Sequence, residues 1–245
     1  MPVLTPTKDQ GAQTRGTSII YTEAAQRMPE EQLAGMFPGS GLNAPFLADL
    51  MSAALTHERC GRHLYRSVAT RSNNPMLVRR YREFGEETEH HAELLEDIIS
   101  SAGGNPNYVS PMARVVQGMD TKLIESTYAV SGGVDLMTAE MAMLDAVFLA
   151  ESTDHANWRL LRNVCEQLPE GPIRDQLRAA VDTVEAQEDE HLGWATRTKE
   201  RLVAMQVGHP VVAGMTEKAE EVVTRIANWL SDEPGTSGTD PEPIV

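Results

Sequence analysis

Val184-Glu185-Ala186-Gln187-Glu188-Asp189-Glu190-His191-Leu192-Gly193-Trp194-Ala195 puts Glu188 and His191 on the line that joins Val184 to Ala195. Residues three apart project from one face of a helix, so a carboxylate and an imidazole here interrupt an apolar stripe. Earlier in the chain, Glu86-Glu87-Thr88-Glu89-His90-His91-Ala92 offers Glu87 and His90 at the same spacing. Two further helical segments carry one carboxylate each on the stripe, Glu58 between Ala54 and Gly61 and Glu151 between Val147 and Trp158. The pattern is a Glu on two helices and Glu-x-x-His on two others.

A single Glu-x-x-His is a weak signal in a charged chain, and position supplies the stronger one. Taking a turn near Asn73, Glu58 lies about 15 residues before it and Glu87 about 14 after, so at 1.5 Å per residue they stand at nearly one height. A turn near Glu170 is flanked in the same way, by Glu151 about 19 residues before and Glu188 about 18 after. All four carboxylates then share one layer. Glu140 also lies on its helix's stripe, but roughly 16 Å of helix separates it from that layer, which excludes it as a ligand. Four carboxylates buried together without cations would be very costly, since each charge is desolvated and all repel. Two divalent ions balance them, and carboxylate oxygen with imidazole nitrogen suits iron or manganese, with zinc allowed.

The chain around these residues reads as helical, with little or no sheet. The first helix spans about Ala44 to Ala69, with Leu47, Met51, Ala54, Gly61, Tyr65 and Val68 on one stripe. Arg71-Ser72-Asn73-Asn74-Pro75 ends it, and Pro75 suits the first turn of a second helix running to about Ser101, with Tyr81, Phe84, Leu94 and Ile98 inward. These two form an antiparallel hairpin. A third helix from about Val134 to Gln167 and a fourth from about Ile173 to Met205 form another, across the break Leu168-Pro169-Glu170-Gly171-Pro172. Between the hairpins, the long connection from Asn105 to about Gly133 has the length to carry the chain back along a bundle, with a helical piece around Thr121 to Tyr128. Residues 1–45 read as an extended arm with one short helix near Thr22 to Leu33, and 46–205 as the bundle. Residues 206–230 hold one more amphipathic helix, and 231–245 read as a disordered acidic tail.

Composition excludes several classes. A formal charge of −15 disfavours nucleic acid, whose phosphates call for clustered Lys and Arg. Cys60 and Cys165 form no CxxC pair and sit in helical patterns, as buried small residues do. No stretch has the length and apolarity of a membrane span or a secretory leader, so the expectation is a cytoplasmic protein.

The paired Glu-x-x-His motifs and their shared layer resemble the ferritin-like di-iron carboxylate superfamily over about residues 46–205, with bacterioferritins and rubrerythrins as the nearest types. The resemblance implies an all-α, ferritin-like four-helix bundle of two antiparallel hairpins joined by a long crossover. It also implies a resident pair of Fe ions, or Mn in their place. By it, Glu58 and Glu151 are terminal ligands, Glu87 and Glu188 bridge the metals, and His90 and His191 each bind one ion. The activity implied is oxidation of Fe(II) by O2 or hydrogen peroxide, for iron handling or oxidative-stress protection, in a homo-oligomer.

Where the family places its ligand His directly before an Ala-Glu-Leu-Leu type of continuation, His91 is selected instead of His90, and the residue three before it is Thr88, a poor ligand. Glu87 with His90 is the preferred pair, with His91 the alternative. His155, one turn beyond Glu151, is an extra ligand or, more simply, a structural histidine. Asp154 and Glu185 are candidates to orient ligands from behind, and His57 points about 100° away from Glu58 toward the surface or another helix. No rubredoxin-type Cys pairs are present, so electrons come from elsewhere or from Fe(II). Two other readings stay open. One is a scaffold, stress or compartment-cargo protein whose tail docks a partner; the other is a di-metal oxygenase acting on an organic substrate.

Overall fold

A computed structural model describes residues 3–7, 11–15, 23–129 and 136–208. The amphipathic segment expected within 206–230 and the acidic tail thus lie almost wholly outside the described residues. The described chain is helical apart from a short antiparallel hairpin, β1 (Val3–Thr7) and β2 (Gly11–Arg15). Six α-helices follow: α1 (Glu30–Gly35), α2 (Ala44–Arg71), α3 (Pro75–Ser101), α4 (Pro111–Ser126), α5 (Leu136–Gln167) and α6 (Pro172–Gly208). None of the described helices is long and apolar enough to cross a membrane.

The helix starts follow from their caps. Asn43 accepts a hydrogen bond from the Phe46 N–H, Asn74 from the Met76 N–H, and Ser110 from the Ala113 N–H, each followed by a Pro in the first turn, where its missing N–H costs nothing. Ser110-Pro111 therefore opens α4 earlier than the expected Thr121. In the arm, Pro29 restricts Met28 to extended backbone. The short helix expected from Thr22 accordingly appears as a 3-10 turn, Ala24–Gln26, and a separate α1. Met28, Met36 and Phe37 bury against the lower ends of α2 and α3, and Phe37 holds a left-handed φ of 52° while its N–H donates to the Ala102 carbonyl.

Cross-helix contacts fix the arrangement of the four long helices. Trp158 meets Glu58, Tyr65 meets Glu151 and Ser72 meets Glu140, so residue numbers fall on α5 as they rise on α2. His91 meets Gln187 and Glu87 meets His191, so α3 and α6 are likewise antiparallel. With α2 against α3 and α5 against α6 as hairpins, the ring order is α2, α3, α6, α5. Because α3 and α5 then point the same way, the chain must return along the bundle between them. α4 makes that return alongside α2: Asp49 accepts from the Met112 N–H, His57 meets Asp120 and Arg71 donates to the Thr127 carbonyl.

The core comes in two apolar halves. Leu47, Met51, Leu55, Leu95, Ile98, Leu161, Leu177 and Val184 fill the lower one. Leu64, Val68, Leu77, Tyr81, Phe84, Leu144, Val147 and Leu202 fill the upper one. Between them lies a layer of buried polar side chains.

Candidate metal centre

That layer contains Glu58, Thr88, His91, Glu151, Asp154, Glu188 and His191, all buried. They form two triads, Glu58 with His91 and Asp154, and Glu151 with Glu188 and His191, in each of which one ligand atom per residue lies within 4.8 Å of the others. Either triad could hold a metal ion. Glu188 sits between them, its Oε1 3.3 Å from Nδ1 of His91 and 3.3 Å from Nδ1 of His191. The two imidazoles lie with centroids 6.0 Å apart and planes 24° from parallel.

An approximate twofold relation organises the layer. Tyr65, seven residues after Glu58, donates its hydroxyl to Glu151 Oε1 at 2.7 Å; Trp158, seven after Glu151, donates its indole N–H to Glu58 Oε1 at 2.6 Å. On the other pair of helices the residue four before each histidine backs the histidine of the opposite helix. His191 Nε2 lies 2.5 Å from Glu87 Oε2, and His91 Nε2 lies 3.0 Å from Gln187 Oε1. With Nε2 of each ring facing these acceptors, each ring turns its Nδ1 toward Glu188.

Six donor atoms are left over. Glu58 Oε2, His91 Nδ1, Glu151 Oε2, both Glu188 oxygens and His191 Nδ1 are buried and take part in no hydrogen bond. Buried polar atoms without partners are uncommon and costly, and a concentration of them in one layer is what a cation site produces when its ligands are already fixed. The four carboxylates, Glu58, Glu151, Asp154 and Glu188, balance two divalent cations, and the oxygen-rich set with two imidazoles suits iron, manganese or zinc. The residues fit a pair of ions.

Without cations the layer's own charges must compensate one another. Burial disfavours charged imidazole, but the carboxylates at their Nδ1 atoms outweigh it and raise His91 to about 10 and His191 to about 11. Burial also raises Glu151, reinforced by the charge of Glu188, and raises Asp154 well above its ordinary value, reinforced by Glu58, Glu188 and Glu151. Glu188 goes the other way, to about 2, because the two imidazolium rings flanking it outweigh its burial.

The structure brings together Glu58, Glu151, Glu188 and His191 as expected from the sequence, and corrects the contribution of the second helix. His90 has a side chain 55% exposed and its Nδ1 3.5 Å from Glu93, away from the layer; His91 is the buried imidazole. Glu87, 38% exposed, backs His191 from outside instead of bridging. The reason is helical phase: Phe84, Thr88, His91, Leu95 and Ile98 form one continuous stripe at steps of four and three, and positions 87 and 90 are turned off it. Asp154 supplies the fourth carboxylate that Glu87 was expected to give. Its place one turn beyond Glu151 marked it only as a candidate to orient a ligand from behind, and the structure puts it in a triad with Glu58 and His91.

The remaining candidates lie elsewhere. His155 Nε2 is 2.9 Å from Asp189, tying α5 to α6 near the surface, and Glu185 holds Arg162. Glu140 accepts from the Ser72 hydroxyl and the Asn73 N–H, capping the turn before α3. His57 is buried with Nδ1 2.9 Å from Asp120 and Nε2 3.1 Å from the Ala150 carbonyl. Two acceptors on one ring call for both protons, and although burial opposes the charge, Asp120 raises His57 to about 9. No family model, no curated protein and no solved structure matches this chain.

Proposed function

We propose that the four long helices form a ferritin-like bundle whose central layer holds two iron ions, and that the protein is a di-iron oxidase. One observation carries the reading: six buried ligand atoms without hydrogen-bond partners, on four helices, gathered around Glu188. Glu58, His91 and Asp154 would hold one ion and Glu151, Glu188 and His191 the other, with Glu188 between them. Manganese meets the same donors.

Bound there, two ferrous ions supply one electron each, enough to take O2 to peroxide or hydrogen peroxide to water. The protein's part is positioning. Tyr65 and Trp158 hold one oxygen of Glu151 and of Glu58, so the second oxygen of each faces the centre. Glu87 and Gln187 fix the imidazole tautomers. The two apolar halves of the core keep bulk water from above and below, which strengthens every charge interaction in the layer. Burial among Glu58, Glu188 and Glu151 favours the protonated form of Asp154, so metal binding there would be coupled to proton release.

The test is Fe(II) oxidation by O2 and by hydrogen peroxide in wild type and in Glu58→Ala/Glu151→Ala. The double variant should oxidise iron no faster than buffer does. Equal rates in the two proteins would remove the oxidase reading.

A further inference from the structure

The twofold relation in the layer is broken in the groups behind the histidines. Glu87 on α3 and Gln187 on α6 occupy matching places, each four residues before its own helix's histidine and each accepting from the other helix's histidine. One acceptor is a carboxylate at 2.5 Å, the other a neutral amide at 3.0 Å. A carboxylate behind a ligating imidazole makes it a stronger donor than an amide does, and such partners alter metal affinity by about 10- to 100-fold. The directly facing groups are matched in kind but not fully in distance, Glu58 Oε2 lying 3.7 Å from Nδ1 of His91 and Glu151 Oε2 3.2 Å from Nδ1 of His191, a contrast that Glu87→Gln leaves in place. Each triad contains two carboxylates and one imidazole, and Glu188 approaches both Nδ1 atoms equally at 3.3 Å.

We infer that Glu87 and Gln187 are positioning residues that make the two ion positions unequal, so that the Glu151, Glu188 and His191 position fills first. The inference rests on the two-ion reading above. Neither residue belongs to a triad, so each would act through the histidine it backs.

The test is calorimetric titration of the metal-free full chain with Mn(II), which needs no oxidant. Wild type should take up two ions in separated steps, and His191→Ala should abolish the tighter one. Glu87→Gln should weaken the tighter step about 10-fold and leave the weaker unchanged, a split that general loss of structure would not produce. In Glu87→Gln/Gln187→Glu the order should invert, so that His91→Ala now removes the tighter step. Two equal steps in wild type, or a separation that survives Glu87→Gln, would overturn the inference and leave the two-ion reading standing. Absence of Mn(II) binding in wild type would overturn both.

Discussion

Thr88 and Glu188 hold matching places, each three residues before the buried histidine of its helix, and only Glu188 is a carboxylate. Thr88 gives its hydroxyl proton to the Phe84 carbonyl at 2.8 Å, and its methyl group packs over Gly61, where a Cβ would lie 3.3 Å away. The charge missing from that side comes from Asp154, which follows Glu151 by the same three residues that separate Gly61 from Glu58. The layer keeps four carboxylates but distributes them unevenly, with helix α5 giving two and α3 none.

On the two-ion reading Asp154 is a ligand of the position it shares with Glu58 and His91. At saturating metal, Asp154→Asn should bind one ion per chain where wild type binds two, while Glu87→Gln keeps two. Elemental analysis after desalting measures this, and two ions in Asp154→Asn would contradict it.

The adjacent histidines separate in the same assay. His90→Ala should leave stoichiometry and melting temperature unchanged, because its side chain is largely in water. His91→Ala should lose one ion. The opposite pattern would restore the pairing of Glu87 with His90.

Much of the fold was legible because its signals are local and periodic. Asn74-Pro75 and the Pro169 to Pro172 break mark real helix boundaries, and the lengths between them set Glu58, Glu151 and Glu188 at one height. The second helix was harder. Leu94 and Leu95 are adjacent apolar residues, and choosing Leu94 for the stripe rotates it toward Glu87, while Thr88 carries no charge to mark the buried side. Asp154 was hidden for a related reason: a Glu-x-x-Asp pair on a helix is equally a solvated face, and only contact with His91 across the bundle distinguishes the two. The start of α4 rested on Ser110-Pro111, a cap signal with little apolar periodicity behind it.

His57 gives a pH prediction. Its folded value of about 9 lies above the 6.5 of a free imidazole, so its contribution is complete below about 6.5 and is lost as pH rises through 9. The shift corresponds to roughly 3 kcal/mol. His91 and His191 titrate in a similar range without metal, so the quantity to follow is the difference between wild type and Asp120→Asn. Urea unfolding midpoints should separate the two proteins most near pH 6 and converge by about pH 10. A separation that grows with pH would contradict the His57–Asp120 pairing.

Metal removal should destabilise the chain, since an ion that binds only the folded state at 100 times its Kd adds about 2.7 kcal/mol. For a domain of this size that is a melting shift of about 5 to 10 °C, readable by calorimetry with Mn(II) against chelator. Glu58→Ala/Glu151→Ala should show no such shift, and an equal shift in that variant would place the ions elsewhere.

The most direct measurement is anomalous diffraction from crystals of the full chain loaded with Fe(II) or Mn(II). Two peaks should appear in the central layer, one among Glu58, His91 and Asp154 and one among Glu151, Glu188 and His191. A layer without anomalous signal at saturating metal, or ions bound only at surface carboxylates, would contradict the account.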